Sequence, residues 1–311
     1  MVILSTILVL LSAVSLFVGV SNITPTDLLT MNHDAWHTIT TSRLPRLLAV
    51  VLAGAGISIA GLVMQQISQN KFAAPSTAGT IECALLGYVL SLVIFGHGNA
   101  LWLVFACALV GTFVFVQLIY RIKFKNAVLV PLIGIIFGNV IESIATFFAL
   151  KYDVLHNVQG WGVANFANIL QGDYELLYIA VPVAILSYAY SSRISAVGMG
   201  KEFAINLGLN YQQVAFIGVT LVAITSASVV MIAGKLPFLG LIVPNLVSAA
   251  YGDNLRRNIP LTAMLGAIIV LGCDIVGRLV IFPYELSVSM VISVLGGGLF
   301  LYLITRRGSH V

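Results

Sequence analysis

The chain has 311 residues, of which 59% are hydrophobic and only 8% charged, with a formal net charge of +4 and a mean hydropathy of +1.05. A soluble domain is roughly 45–50% apolar and about 25% charged, so a soluble globule of this length could not cover its apolar surface. Runs long enough to cross about 30 Å of hydrocarbon, at about 1.5 Å per helical residue, recur along the whole sequence, and lipid is the solvent it is built for.

Ten apolar runs bounded by polar, Gly or Pro breaks are predicted as membrane helices: 2–20, 44–64, 77–95, 100–120, 127–150, 174–190, 213–233, 239–251, 259–279 and 286–304. The first lacks a positive leading segment and a small-residue cleavage pattern, so it reads as a membrane helix rather than a signal peptide. The eighth is short and interrupted by Gly240 and Pro244; it must either extend through the Pro237 region or be shielded by neighbouring helices. The expected fold class is all-α, a polytopic membrane protein with about ten transmembrane helices, and residues 1–311 read as one transmembrane domain. Ten spans place both termini on one side. With that side cytoplasmic, ten of the 15 Lys and Arg lie inside and Arg43, Arg46, Lys151, Lys235 and Arg278 lie outside among seven acids, the bias the positive-inside rule requires.

The first polar constellation is Ser42-Arg43-Leu44-Pro45-Arg46, at the outer start of the second span. Ser42 suits an N-cap and Pro45 a first turn, which puts Arg43 and Arg46 three apart on one face. A helix N-terminus prefers anions, so two arginines there imply either an outside anionic partner or snorkelling to lipid phosphates. Arg278 closes the ninth span on the same side, four residues after Asp274, with which it can pair. Together the three arginines offer a docking surface for an acidic protein partner.

Glu82 and Glu142 fall inside the third and fifth spans. Ionised carboxylates there must face protein or water, which makes both either functional groups or hydrogen-bonded structural acids. Cys83, Cys107 and Cys273 lie singly inside spans, without Cys-x-x-Cys or histidine spacing, and read as packing residues with no metal site.

The segment between the sixth and seventh spans contains Gly198, Gly200, Lys201, Glu202, Phe203, Ala204, Ile205, Leu207 and Gly208. Its glycines bracket a short amphipathic run, either a small helix that docks into another protein's groove or a connecting loop on the membrane. No Walker A pattern is present, since Gly200-Lys201 is followed by Glu202 and lacks the upstream glycine. The five histidines all fall in predicted loops or at the terminus, which disfavours a membrane enzyme.

In order, Arg43-Leu44-Pro45-Arg46, Gly61-Leu62-Val63-Met64-Gln65-Gln66, Asn70 with Pro75 and Gly79, and Phe238-Leu239-Gly240-Leu241-Ile242-Val243-Pro244-Asn245 resemble the FecCD/BtuC-type permeases over essentially the entire chain. Asn206-Leu207-Gly208-Leu209-Asn210, Gly252-Asp253-Asn254 and Asp274-Ile275-Val276-Gly277-Arg278 agree with that pattern. Asn245 departs from it, standing where a histidine usually follows the Val-Pro element, as do Asn254 and Leu255. The resemblance implies a ten-helix permease subunit, paired with a second permease subunit in the membrane of a bacterial cell. Two cytosolic ATP-binding subunits and an extracytoplasmic siderophore-binding protein complete a type II ABC importer. It implies that Arg43, Arg46 and Arg278 contact that binding protein and that residues 195–211 dock on the ATPase. It places the pathway near the fifth, eighth and tenth helices, hence near Glu142. The closest likeness is to permeases for catechol-type siderophores, commonly heterodimers. The cargo expected is then an iron(III)-siderophore, with cobalamin or haem as alternatives. No bound cofactor and no nucleic-acid partner are expected. A rival outside the family is an ion-coupled secondary transporter using Glu82 or Glu142 as a proton site.

Overall fold

The computed structural model describes residues 1–19, 33–96, 100–121, 129–159 and 163–307, and those residues contain no β-strand. In chain order the principal helices are α1 (Val2–Phe17), α2 (Leu44–Ser68), α3 (Thr80–Phe95), α4 (Leu101–Arg121), α5 (Leu129–Lys151), α6 (Ala180–Ala189), α7 (Ser191–Gly198), α8 (Lys201–Asn206), α9 (Tyr211–Ala233), α10 (Leu239–Tyr251), α11 (Leu255–Leu279) and α12 (Val288–Arg307). A short helix, His33–Thr38, and a π-helical turn, Ile39–Arg43, lead directly into α2.

Among the described residues, α2 with its leading turns, α4, α5, α9 and α11 are each long and apolar enough to cross a bilayer. A pair bent by 67°, Glu175–Ala189 followed by Ser191–Gly198, makes one more, and Val2–Phe17, Thr80–Phe95, Leu239–Tyr251 and Val288–Leu299 are shorter apolar helices. Every apolar run predicted from the sequence corresponds to one of these, and the all-helical, polytopic fold stands as expected.

The bundle is organised around α2, which packs on α9, α10 and α11. It is apolar on every side and buried along most of its length, as expected of a helix with neighbours all round. Lipid is as apolar as leucine, so helix association in a membrane depends on close packing of small residues. Here Gly54 meets Gly266, where an added Cβ would sit 2.7 Å from the Gly266 carbonyl oxygen, and Gly61 meets Gly240, where it would sit 1.8 Å from the Gly240 oxygen.

The short span α10 settles the alternative left by the sequence. Residues 234–238 are not helical, so α10 does not extend through Pro237 and its backbone is satisfied by neighbours instead. Pro244 removes the donor that the Gly240 carbonyl would otherwise have, and side chains tie the rest of this turn to its surroundings. Gln65 Nε2 of α2 donates to the carbonyls of Lys71 (2.8 Å) and Leu241 (3.3 Å), and Asn245 Nδ2 donates to the same two carbonyls at 2.8 Å each. The asparagine that departs from the family pattern thus ties α10 to the segment following α2.

Replacing Gly61 by Ala should force the α2–α10 crossing apart and cost about 1–3 kcal/mol, the usual penalty of overpacking. Gly272→Ala, where an added Cβ meets nothing within 4 Å, is the control. Thermal unfolding in detergent should show a lower midpoint for the first variant only. Equal midpoints would contradict the close crossing.

Candidate functional site

Folding brings the three arginines read from the sequence to one end of the bundle. Asp274, with a fully buried side chain, stands between two of them. Arg46 donates to its Oδ1 through Nη2 (2.7 Å) and Nε (3.2 Å), and pairs with Glu285 at 2.8 Å through Nη1. Arg278 donates to Oδ2 through Nε at 3.0 Å and pairs with it again through Nη2. The remaining Arg278 donors reach the Ser15 and Val18 carbonyls at 3.0 Å and the Ser15 hydroxyl at 2.8 Å, while Arg43 donates to the Leu16 carbonyl. These charge-assisted bonds close the last turn of α1 over the cluster, leaving Arg43 and Arg278 only 7% and 5% exposed. The arginines therefore form an internal network rather than an open patch. The i,i+4 pairing of Asp274 with Arg278 is present, but Asp274 also serves α2. Glu285, which the sequence reading did not connect with Arg46, is the more accessible acid of the network.

A second cluster lies within the spans. The Lys235 ammonium is 3.2 Å from Glu82 Oε1 on α3 and 3.0 Å from Glu142 Oε1 on α5. Glu142 is nine residues before the end of α5, about 14 Å along the axis, which is near mid-depth for a helix of this length. The charge count placed Lys235 among the outside bases; the structure shows it partly buried and paired with two acids, because the chain after α9 turns back among the helices to begin α10. The signal that could have revealed it was electrostatic: two acids inside spans require a cation, and Lys235 follows directly on the seventh span. Glu142 also belongs to a polar stripe, Asn139, Glu142, Ser143 and Thr146, that with Phe147 and Leu150 lines an open cleft of about 480 Å³. Those polar residues recur at spacings of three and four, so they share one face of α5.

At the opposite end, Lys71 pairs with Asp253 at 2.9 Å, Arg193 lies over Tyr190 and Arg256 over Tyr188. Here α8 is the small helix expected at Lys201. Gly200 (φ +120°) and Gly208 (φ +74°) bracket it in backbone regions that favour glycine. Ala204 is buried with Ile194, Val197 and Tyr211 and anchors the helix. Lys201, Glu202, Phe203, Ile205 and Leu207 are exposed. Three apolar side chains on one short exposed element make a patch of the kind found at protein- or membrane-contacting surfaces. No group of three or more His, Cys, Asp or Glu able to hold a metal occurs among the described residues.

The whole chain is similar to characterised transport proteins. It is 44% identical over 307 residues to the petrobactin import system permease protein YclN of Bacillus subtilis, covering 98% of this chain and 97% of that one. It is 38% identical over 299 residues to the ferric-anguibactin transport system permease protein FatD of Vibrio anguillarum, covering 95% of each. A solved inward-facing structure of a transporter assigned to the metal-chelate ABC type superposes with a TM-score of 0.78 over 97% of each chain at 24% identity, and so shares the fold. The FecCD transport family description matches residues 7–306, nearly every residue from α1 to α12, and the chain belongs to that family.

Proposed function

We propose that the chain is the membrane-spanning permease subunit of an ABC importer that carries iron(III)-siderophore complexes into the bacterial cytoplasm. The observation that carries this reading is the full-length similarity to petrobactin and ferric-anguibactin permeases. The protein lowers no chemical barrier. Its conformational population is shifted by nucleotide binding on separate cytosolic subunits, consistent with the lack of a Walker A pattern in the sequence.

In this reading both termini and α8 face the cytoplasm, and the Arg43, Arg46 and Arg278 end faces outward toward the siderophore-binding protein. Because Arg46 and Arg278 are held by internal acids and Arg43 by the Leu16 carbonyl, a docking partner engages them by adding acids beside Glu285 or by displacing the end of α1. The polar stripe of α5 lines the pathway against a second permease subunit, a non-identical chain being favoured by the likeness to heterodimeric systems. Exposed Asn139, Ser143 and half-exposed Glu142 on an apolar helix support this, since polar groups facing hydrocarbon carry a cost.

Cells lacking the gene should lose uptake of radiolabelled iron(III)-petrobactin and regain it on complementation, provided the ATPase subunit is present. In membrane vesicles, tightening of binding-protein docking at low salt is expected. Uptake that survived loss of the ATPase but collapsed with the proton gradient would replace this reading by ion-coupled transport.

Energy coupling is assigned to the segment from Ser195 to Tyr211. The helix is rooted by Ala204 while Phe203 projects from the surface, so Phe203→Asp changes the contact and spares the fold. An apolar anchor lost at an interface centre costs about 2 kcal/mol or more, so transport-linked ATP hydrolysis should fall roughly tenfold or more, or the ATPase should be lost on purification. Wild-type coupling in an assembled Phe203→Asp complex would show that this segment is not the coupling element.

A further inference from the structure

We propose that Lys235 is a positioning residue of the pathway: its ammonium clamps Glu142, and with it the polar face of α5, to the body of the bundle, and Glu82 takes up its charge when the clamp opens. This rests on the reading that the α5 stripe lines the pathway.

The packing of α5 shows why a clamp is needed. The buried residues of this helix are Val130, Gly134, Gly138, Ala145 and Ala149, one narrow stripe of mostly small side chains lying against α3 and the segment before it. Between Gly138 and Ala145, about two helical turns, no residue of α5 is buried. The Glu142–Lys235 contact fills that interval. At this level the ion pair joins α5 to the rest of the molecule beside the partly buried Ile141.

The lysine itself has a fixed base. Gly234, at φ +83°, is pressed so closely on the chain at Ala164 that an added Cβ would lie 2.9 Å from the Ala164 Cα. Leu236, on the other side, is buried in the core between α2, α9 and α11. The ammonium is thus delivered from an anchored segment to two helices that it does not otherwise belong to.

The two acids are not equivalent. The Glu82 side chain is 12% exposed, Lys235 24% and Glu142 42%, the last opening on the α5 cleft. Among the described residues Glu82 Oε2 has no hydrogen-bond partner and lies beside Gly138, so it has capacity to accept a second bond from the ammonium. Breaking an ion pair in a low-dielectric interior is costly because it strands a charge. With Glu82 as the deep partner, Lys235 remains paired when Glu142 is released to the water of the pathway. Two acids on one base therefore make the contact to α5 reversible, whereas a single pair would be either locked or stranded.

The test uses the complete importer in vesicles, with Cys83, Cys107 and Cys273 replaced by Ala and a reporter Ser143→Cys on the α5 stripe. With Lys235 intact, labelling by a water-soluble thiol reagent should change with nucleotide state. In Lys235→Met the labelling should become the same in every state and transport should fall about tenfold or more, while Lys235→Arg keeps both near normal. If Lys235→Met does not assemble, the triple variant Lys235→Met, Glu82→Gln, Glu142→Gln, which leaves no charge to strand, should show the same loss of state dependence. State-dependent labelling and normal transport without Lys235 would overturn the clamp and leave the pathway reading standing. A Ser143→Cys never labelled with Lys235 intact would overturn both.

Discussion

The Asp274 carboxylate, fully buried and shared by Arg46 and Arg278, is the contact on which one end of this molecule depends. A carboxylate removed from water costs several kcal/mol, recovered only with good geometry and with its neighbours' donors satisfied as well. Each oxygen of Asp274 faces one guanidinium, and the leftover donors reach Glu285 and the last turn of α1. Removing any member strands the others, so α1, α2 and α11 are held as a unit. Arg46 and Arg278 are then structural groups first, and a partner docking at this end would meet them through that network.

The same rule operates at mid-depth with a different result. Around Asp274 the charges are closed off, whereas around Lys235 one formal negative charge is left over and one of the acids opens on a cleft. A sealed network suits a part that stays rigid. A network open on one side suits a part that moves, as α5 must if its stripe is exposed alternately to the two sides of the membrane. The contrast is supported by the backbone: α2 is buried by close Gly–Gly crossings along its length, while α5 touches the bundle along one narrow line. At the other end, α8 offers apolar side chains on a rooted helix joined to α9 through residues 207–210.

Much of this was legible in the residues. Apolar run length located every span, because in lipid only helices long enough to satisfy their own backbone survive, and glycine placement located α8. Two things were not legible. The break after Ala233 looked like an outer loop because charge and length alone do not reveal a chain that re-enters the bundle, and so Lys235 was counted among the outside bases. The pairing of Arg46 with Asp274 joins residues 228 positions apart, and Asp274 already had a nearer partner four residues away; only the α2–α11 crossing, set by Gly54 and Gly266, brings the third group in. Local pattern identifies helices and their caps, while the matching of buried charges is decided by which helices cross.

The most direct measurement of the central claim, that charges inside this bundle are held by mutual pairing, is a double-mutant cycle on unfolding free energy in detergent micelles. The variants are Arg46→Met, Asp274→Leu and both together. The account predicts non-additivity: the double variant should be more stable than the sum of the single losses implies, with a coupling of about 1–3 kcal/mol for groups in one network. Additive losses, within about 0.5 kcal/mol, would contradict it and reduce the Asp274 contacts to incidental proximity.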